Sequence, residues 1–463
     1  MFFIVVICLQ THFSLVRLCT TGSWIEDYRE QIKSLIPNIE KMVDLDKKSY
    51  QELIFVSCDK PIDTGIALQS TADCVGMMER IEEHARTNFL DQVADETDKF
   101  LDNAYKAEYH GNRSSEGIFL SSLPQDIFSF IGVHINLMQE RLMKDSVGTD
   151  NFLLFLSRIF NRLQFKQAEY RDRLLRDSFE NCCTAANDFL RMVEKCEEII
   201  QKILSNGDIN EEGQEKLENY LSGLLSLYSK DASYAAQYCS NHIFSDISES
   251  GAYSNLFSNS WEKTMVQNQY AGIIVATIKD YVGDELLDKI LHVKALHALS
   301  SATIVFYVER LVARGVSHNS RKHGVFENDE EALNRMRGDI NIFRTYFEGL
   351  ASENRSLNKS LKHFDVLNTI HDCLAHACGL SEGSAEDIIL RLHLSINDTN
   401  LTKFLVQILW RLMAPEKEQE ISQLLENGFL TGGAKSPSNF NDHYSVPGLS
   451  LEYMLRDYQS GGN

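Results

Sequence analysis

The stretch Ala271 to Ala351 decides the fold. It opens AGIIVATIKDYVGDELLDKIL (271–291), continues through IVFYVERLVARGVSH (304–318) and closes EALNRMRGDINIFRTYFEGLA (331–351). Its periodicity reads as three helices separated by two polar breaks. In the last segment Met336, Ile340, Phe343, Phe347 and Leu350 recur at steps of four, three, four and three. That spacing puts all five on one face of a helix. Arg335, Arg337, Asp339, Arg344 and Glu348 are expected on the opposite face. The pattern suits the packing of helices side by side, and nothing in it is arranged for chemistry.

Working outward, proline is the informative count. The six prolines stand at 37, 61, 124, 415, 437 and 447, leaving none between Pro124 and Pro415. Proline breaks helix interiors and is common in the turns of β proteins. A run this long without it, patterned at 3.6 throughout, predicts an all-α protein. The 463 residues correspond to about three domains by length, or to one elongated stack of helical bundles. Hydrophobic residues make up 43%, enough for a large core.

Charge excludes a class of function. With 66 acidic against 45 basic residues the net charge is −21, which disfavours non-specific nucleic-acid binding. A local basic face that meets anionic lipid remains compatible with it. The ten cysteines, at 8, 19, 58, 74, 182, 183, 196, 239, 373 and 378, show no C-x-x-C and no paired framework. They read as small apolar core residues of a reducing compartment.

The N-terminal run FFIVVICL (2–9) lacks a positive n-region and is too short to span a bilayer. It reads as a buried first helix or as a start inside a longer protein, with a signal peptide as the alternative. Five N-x-[ST] sequons, at Asn112, Asn354, Asn358, Asn397 and Asn400, do not decide this, since several fall in helical segments.

In chain order, helices are expected over Trp24–Val43, Asp73–Lys106, from Pro124, from an Asp150 cap, Asn181–Leu204 and Leu217–Tyr238. His110–Glu116 reads as a loop and Ser205–Glu212 as a turn with a new N-cap. Asn241–Asn259 is rich in Ser, Asn and Gly, which places a domain boundary near residue 250. Beyond the central three helices follow Leu357–Ala377, Ala385–Leu394, Leu401–Met413 and Glu416–Asn427. The expected organisation is therefore an apolar lead at 1–23, helical bundles at 24–250 and 251–430, and a flexible tail at 431–463. No repeat of fixed period appears.

Catalytic and metal motifs are missing. His292 and His297 are five apart, as are His371 and His376, whereas ligands on one helix face need three or four. Cys373 and Cys378 lack a second pair to complete a metal site, and Cys182–Cys183 lacks an activating base. No phosphate loop, dinucleotide fingerprint or nucleophile elbow is present, so no cofactor is expected and an enzyme is disfavoured. The candidate interaction face is a basic island in this acidic chain, formed by Arg158, Arg162, Lys166, Arg171, Arg173 and Arg176. Arg158, Arg162 and Lys166 share a helix face that can meet anionic phospholipid or an acidic partner helix; the alternative is a solvated face balanced by nearby acids.

Several stretches, in order, resemble the Sec6 family of exocyst components. They are NRLQFKQAEYRDRLLRD (161–177), ANDFLRMVEKCEEIIQKI (186–203), AGIIVATIKDYVGD (271–284), IVFYVERLVARGVSHNS (304–320) and RMRGDINIFRTYFEGLA (335–351). The resemblance covers roughly residues 125–430 and lies in the family's C-terminal part. It implies a stack of helical bundles of the vesicle-tethering-complex type. It implies a non-enzymatic role, tethering secretory vesicles to the plasma membrane before SNARE-driven fusion, from a cytoplasmic pool recruited to sites of secretion. The implied partners are other exocyst subunits and SNARE proteins. The chain looks short against the family, whose members outside the exocyst, of the TNF-alpha-induced protein 2 type, act on membrane protrusions.

Overall fold

The structure is a computed structural model and describes residues 93–107, 109–142, 146–206, 209, 211–265, 268–317, 325–396, 398–427, 430, 445–446 and 449–450. The apolar lead, the helix expected over Trp24–Val43 and the turn at Pro61 lie outside these residues.

The described chain is helical apart from two small hairpins. Helix α1 (93–106) is followed by β1 (Asn112–Arg113), inside the segment His110–Glu116 expected to be a loop, and β2 (Phe119–Leu120) just beyond it, an antiparallel pair. Then come α2 (Leu123–Leu142), α3 (Ser146–Arg176), α4 (Phe179–Asn206) and α5 (Glu211–Glu249). Short turns α6 (Ala252–Asn255) and α7 (Asn259–Lys263) lead to α8 (Gln269–Gly283), α9 (Lys289–Ser317) and α10 (Asp329–Glu353). After α11 (Asn358–Leu361) the chain continues through α12 (Asp365–Ala377), α13 (Ala385–Ile396), α14 (Thr399–Met413) and α15 (Glu418–Glu426). Within the tail expected to be flexible, β3 (Ser445–Val446) pairs with β4 (Leu449–Ser450), and this hairpin packs against α9.

Local sequence explains the ends. Pro124 is the second residue of α2, where a missing N–H costs nothing, and Pro415 stands two residues past the end of α14, after its cap Ala414. Asn328 and Asp398 cap α10 and α14, accepting from the N–H groups of Glu331 at 3.1 Å and Leu401 at 2.8 Å. Asp150 is not a cap: α3 begins four residues earlier, at Ser146, and absorbs it. The stretch Leu357–Ala377 is not one helix; two short 3-10 turns flank α11 before α12 starts.

Contacts divide the chain into two compact units, Met1–Asn103 with Val133–Lys166, and Ala104–Gly132 with Gln167–Asn463. The second unit runs straight through residue 250. Helix α5 extends to Glu249, well past Tyr238, and lies along both α4 and α9. A single core joins Ile243, Phe244 and Ile247 of α5 to Phe257, Trp261 and residues as far as Leu430. The Ser/Asn-rich composition after 241 therefore marks a helix end inside this unit.

Helix α9 is the axis of that core. By length and composition it is apolar enough to cross a membrane, yet 67% of its apolar window is buried inside the protein. It packs against α5 and α14, and the approach to α14 needs a glycine: a Cβ on Gly315 would fall 2.6 Å from Ile408 Cγ2. Around α9, rings of Phe257, Trp261, Tyr307 and Phe343 meet at centroid distances of 4.9–5.6 Å.

Candidate interaction surface

The basic island lies on α3, and the structure separates its six cations by partner. Asp98 and Asp102, one turn apart on α1, face Arg162 and Lys166, one turn apart on α3. Their ion pairs measure 3.2 Å and 2.7 Å. Lys166 is buried, at 8% exposure, although sequence placed it on an open face. Arg158 is half-buried. Arg171 reaches Asp231 at 3.1 Å and Asp172 at 2.9 Å, with its guanidinium 4.8 Å from the centre of the Tyr234 ring. Arg173 and Arg176 are exposed. Arg176 has only a 3.9 Å approach to Asp172, and no described residue forms an ion pair with Arg173. Three of the six charges are thus held by acids of neighbouring or adjacent residues, and the exposed positive charge collects at the C-terminal end of α3.

That end borders a cleft of about 640 Å³, lined by Tyr105, Tyr109, His110, Arg173, Arg176 and Asn181 among others. The cleft walls are held by buried polar nodes. The Tyr105 hydroxyl donates to Gln167 Oε1 at 2.9 Å, and Gln167 Nε2 donates to Asp231 at 3.0 Å. Tyr109 donates to Asp188 Oδ2 at 2.7 Å; the same carboxylate accepts from the Ser121 N–H at 3.1 Å and from the Ser121 hydroxyl. Burial pushes the Asp188 carboxyl up to about 6 against these hydrogen bonds, which pull it down. Its neighbour Asn187 ties α4 to β2 and to the start of α9. Its amide donates to the carbonyls of Phe119 and Leu286, both at 2.8 Å, and accepts from Asp288 N–H at 2.9 Å.

A second node sits under α10 and corrects the face assigned to that helix. Met336, Ile340, Phe343 and Phe347 are buried as expected. Asp339 and Arg335, expected opposite them, are also buried, at 0% and 8% exposure. Asp339 accepts from Trp261 Nε1 at 3.1 Å, Asn268 Nδ2 at 2.8 Å and the Tyr307 hydroxyl at 3.3 Å. Burial pushes this carboxyl to about 6 as well. Arg335 donates to the carbonyls of Trp261 and Thr264 at 3.2 and 3.1 Å and pairs with Glu331. The donors come from segments distant in sequence, so no local pattern announces them.

Cys182, Cys183, Cys373 and His371 are packed in the core, and His292, His297, His376 and Cys378 are half-buried. His371 meets the Leu333 carbonyl through Nε2 at 3.1 Å, and burial lowers its basicity. Cys373 is buried. Cys182 and Cys183 each lie 3.6 Å from Cys239 Sγ, and burial pushes both of their thiols well up, which keeps them protonated. This three-thiol contact between α4 and α5 was not visible in the spacing.

With the geometry in place, the likeness to known proteins is specific. The model of the family described as exocyst complex component Sec6 matches residues 76–377. Among solved structures, the crystal structure of the C-terminal domain of the exocyst subunit Sec6p superposes with a TM-score of 0.56 at 15% identity. The match covers 78% of this chain and 96% of that one. At that identity the likeness is one of fold, and it agrees with the all-α architecture described above. No curated protein matches the sequence significantly. Since the family match takes in well over half of its length, the chain belongs to the Sec6 family of exocyst complex components.

Proposed function

We propose that this chain is a non-enzymatic subunit of the exocyst that helps dock secretory vesicles at the plasma membrane before SNARE-mediated fusion. The observation that carries the reading is the Sec6 family match over residues 76–377. The side-chain chemistry is in keeping with it. Buried polar groups join helices, as at Asp188, Asn187 and Asp339, and Cys182, Cys183, Cys373 and His371 pack in the core, while His292, His297, His376 and Cys378 are half-buried. On this reading the chain works in the cytoplasm and is recruited peripherally to the plasma membrane at sites of secretion. Its partners are other exocyst subunits, SNARE proteins and, through exposed guanidiniums of the basic island, anionic phospholipid. Within the island, Arg173 and Arg176 carry the proposal furthest because they are the cations most open to solvent.

The test is affinity purification of the tagged chain from its own cells, followed by mass spectrometry. Co-purification of other exocyst subunits is the expected result. Their complete absence from a preparation that retains the folded chain overturns the reading and favours a Sec6-like protein acting on membranes outside the complex.

A further inference from the structure

The cleft at the end of α3 has the makings of a ligand site. Its volume of about 640 Å³ falls within the range of small-molecule pockets. Two guanidiniums three residues apart, Arg173 and Arg176, line it, and they are the cations of the island that the neighbouring acids leave most available. Leu174, almost fully buried, and the ring of Tyr105 supply an apolar wall. Asn181, in the first turn of the 28-residue helix α4, also lines the cleft, where the helix N-terminus adds partial positive charge. Two acids stand close to them: Asp177 lines the same cleft, where its Oδ2 accepts from Asn181 Nδ2 at 2.5 Å, and Asp172 lies 3.9 Å from Arg176. Two guanidiniums and a helix N-terminus on the lining, against one lining carboxylate among the described residues, suit the cleft to a compact anion.

We propose that this cleft binds a phosphate monoester carried on a small polar molecule. Arg173 and Arg176 take the phosphate oxygens, as the planar guanidinium fork favours. The carbon skeleton lies against Leu174 and Tyr105. Such a group reaches the cleft either as a free metabolite or as a lipid headgroup. The headgroup arm rests on the phospholipid contact proposed above for Arg173 and Arg176, whereas the metabolite arm does not, and failure of both leaves the family membership and assembly with other exocyst subunits untouched.

The experiment titrates the full chain with inorganic phosphate and with glycerol phosphate by calorimetry. It also measures sedimentation with phosphatidylcholine vesicles that carry either phosphatidic acid, a monoester, or phosphatidylserine, a diester. Glycerol phosphate is expected to bind, and each of Arg173→Gln and Arg176→Gln is expected to weaken it about tenfold or more. Arg337→Gln, an exposed charge change on α10, is expected to leave it unchanged. Circular dichroism checks that each variant is folded. Binding of the soluble ester alone assigns the site to a metabolite; retention on phosphatidic acid vesicles but not on phosphatidylserine assigns it to a headgroup. The proposal is overturned by no binding of any probe, by binding that survives the double Arg173→Gln/Arg176→Gln change, or by equal retention on both vesicle types.

Discussion

At the scale of single residues, the informative groups are polar ones in the wrong place. Asp339 is fully buried beneath α10 and accepts three hydrogen bonds, yet burial still holds its carboxyl up near 6. The folded value lies above the unfolded carboxylate value of about 4, so folding takes up a proton in that interval. Stability from this source is fully present below about pH 4 and is lost as pH rises through about 6. Integrated, it amounts to about 3 kcal/mol for the group. The chain is therefore expected to resist urea better at pH 5 than at pH 7. Asp339→Asn should roughly halve that dependence, Asp188 being held near the same value and supplying the rest, as unfolding midpoints at the two pH values would show. An unaltered pH slope in the variant would place the titration elsewhere. Lys166 is the second such residue. It sits 2.7 Å from Asp102 and is nearly buried, so Lys166→Glu sets two carboxylates against each other out of solvent. A loss on the order of 3 kcal/mol is expected, against less than about 1 kcal/mol for neutralising the more exposed Arg162 with Gln. Chemical denaturation of the two variants measures the difference.

At the scale of elements, the helices are joined at points where two backbones come close or where a side chain crosses between them. The approach of α9 to α14 at Gly315 is one of these. A methyl there meets Ile408 Cγ2 at 2.6 Å and Leu412 Cγ at 3.2 Å, both on a helix that cannot yield without disturbing Trp410 and the core beneath. Gly315→Ala improves helix propensity by about 1 kcal/mol, but overpacking costs about 1–3 kcal/mol. The thermal midpoint is expected to fall, and a rise would show that α14 shifts freely. Asn187 does the crossing work elsewhere, since one amide satisfies backbone groups of β2 and of the segment leading into α9.

At the scale of the whole molecule, the second unit is closed by contacts remote in sequence. The hairpin Ser445–Val446 with Leu449–Ser450 packs against α9, far upstream in the chain. Truncation after residue 440 is expected to lower the thermal midpoint by about 2–4 °C while preserving the helical circular dichroism. An unchanged midpoint would show that α9 does not depend on this hairpin. The net charge of −21 acts at the same scale. It sets a general repulsion toward anionic surfaces, so any binding there has to be local.

What sequence alone determined was the period-3.6 architecture and its main helices. Pro124 and Pro415 bracket them, and Met336, Ile340, Phe343 and Phe347 fall on the buried face of α10 as their spacing demands. Helix periodicity and proline chemistry are local, so they survive without knowledge of the fold. The ordered resemblance to the Sec6 family was legible for the same reason, because it rests on helix patterns. Tertiary structure decided the rest. Asp339 looked like a surface charge until Trp261, Asn268 and Tyr307 surrounded it, and Lys166 until Asp102 met it. The boundary near residue 250 gave way to a core that runs through it, and two of six island cations turned out to border a cleft. A charge on a helix does not encode which distant acid or donor will face it. That partner is supplied only when segments many residues apart pack together.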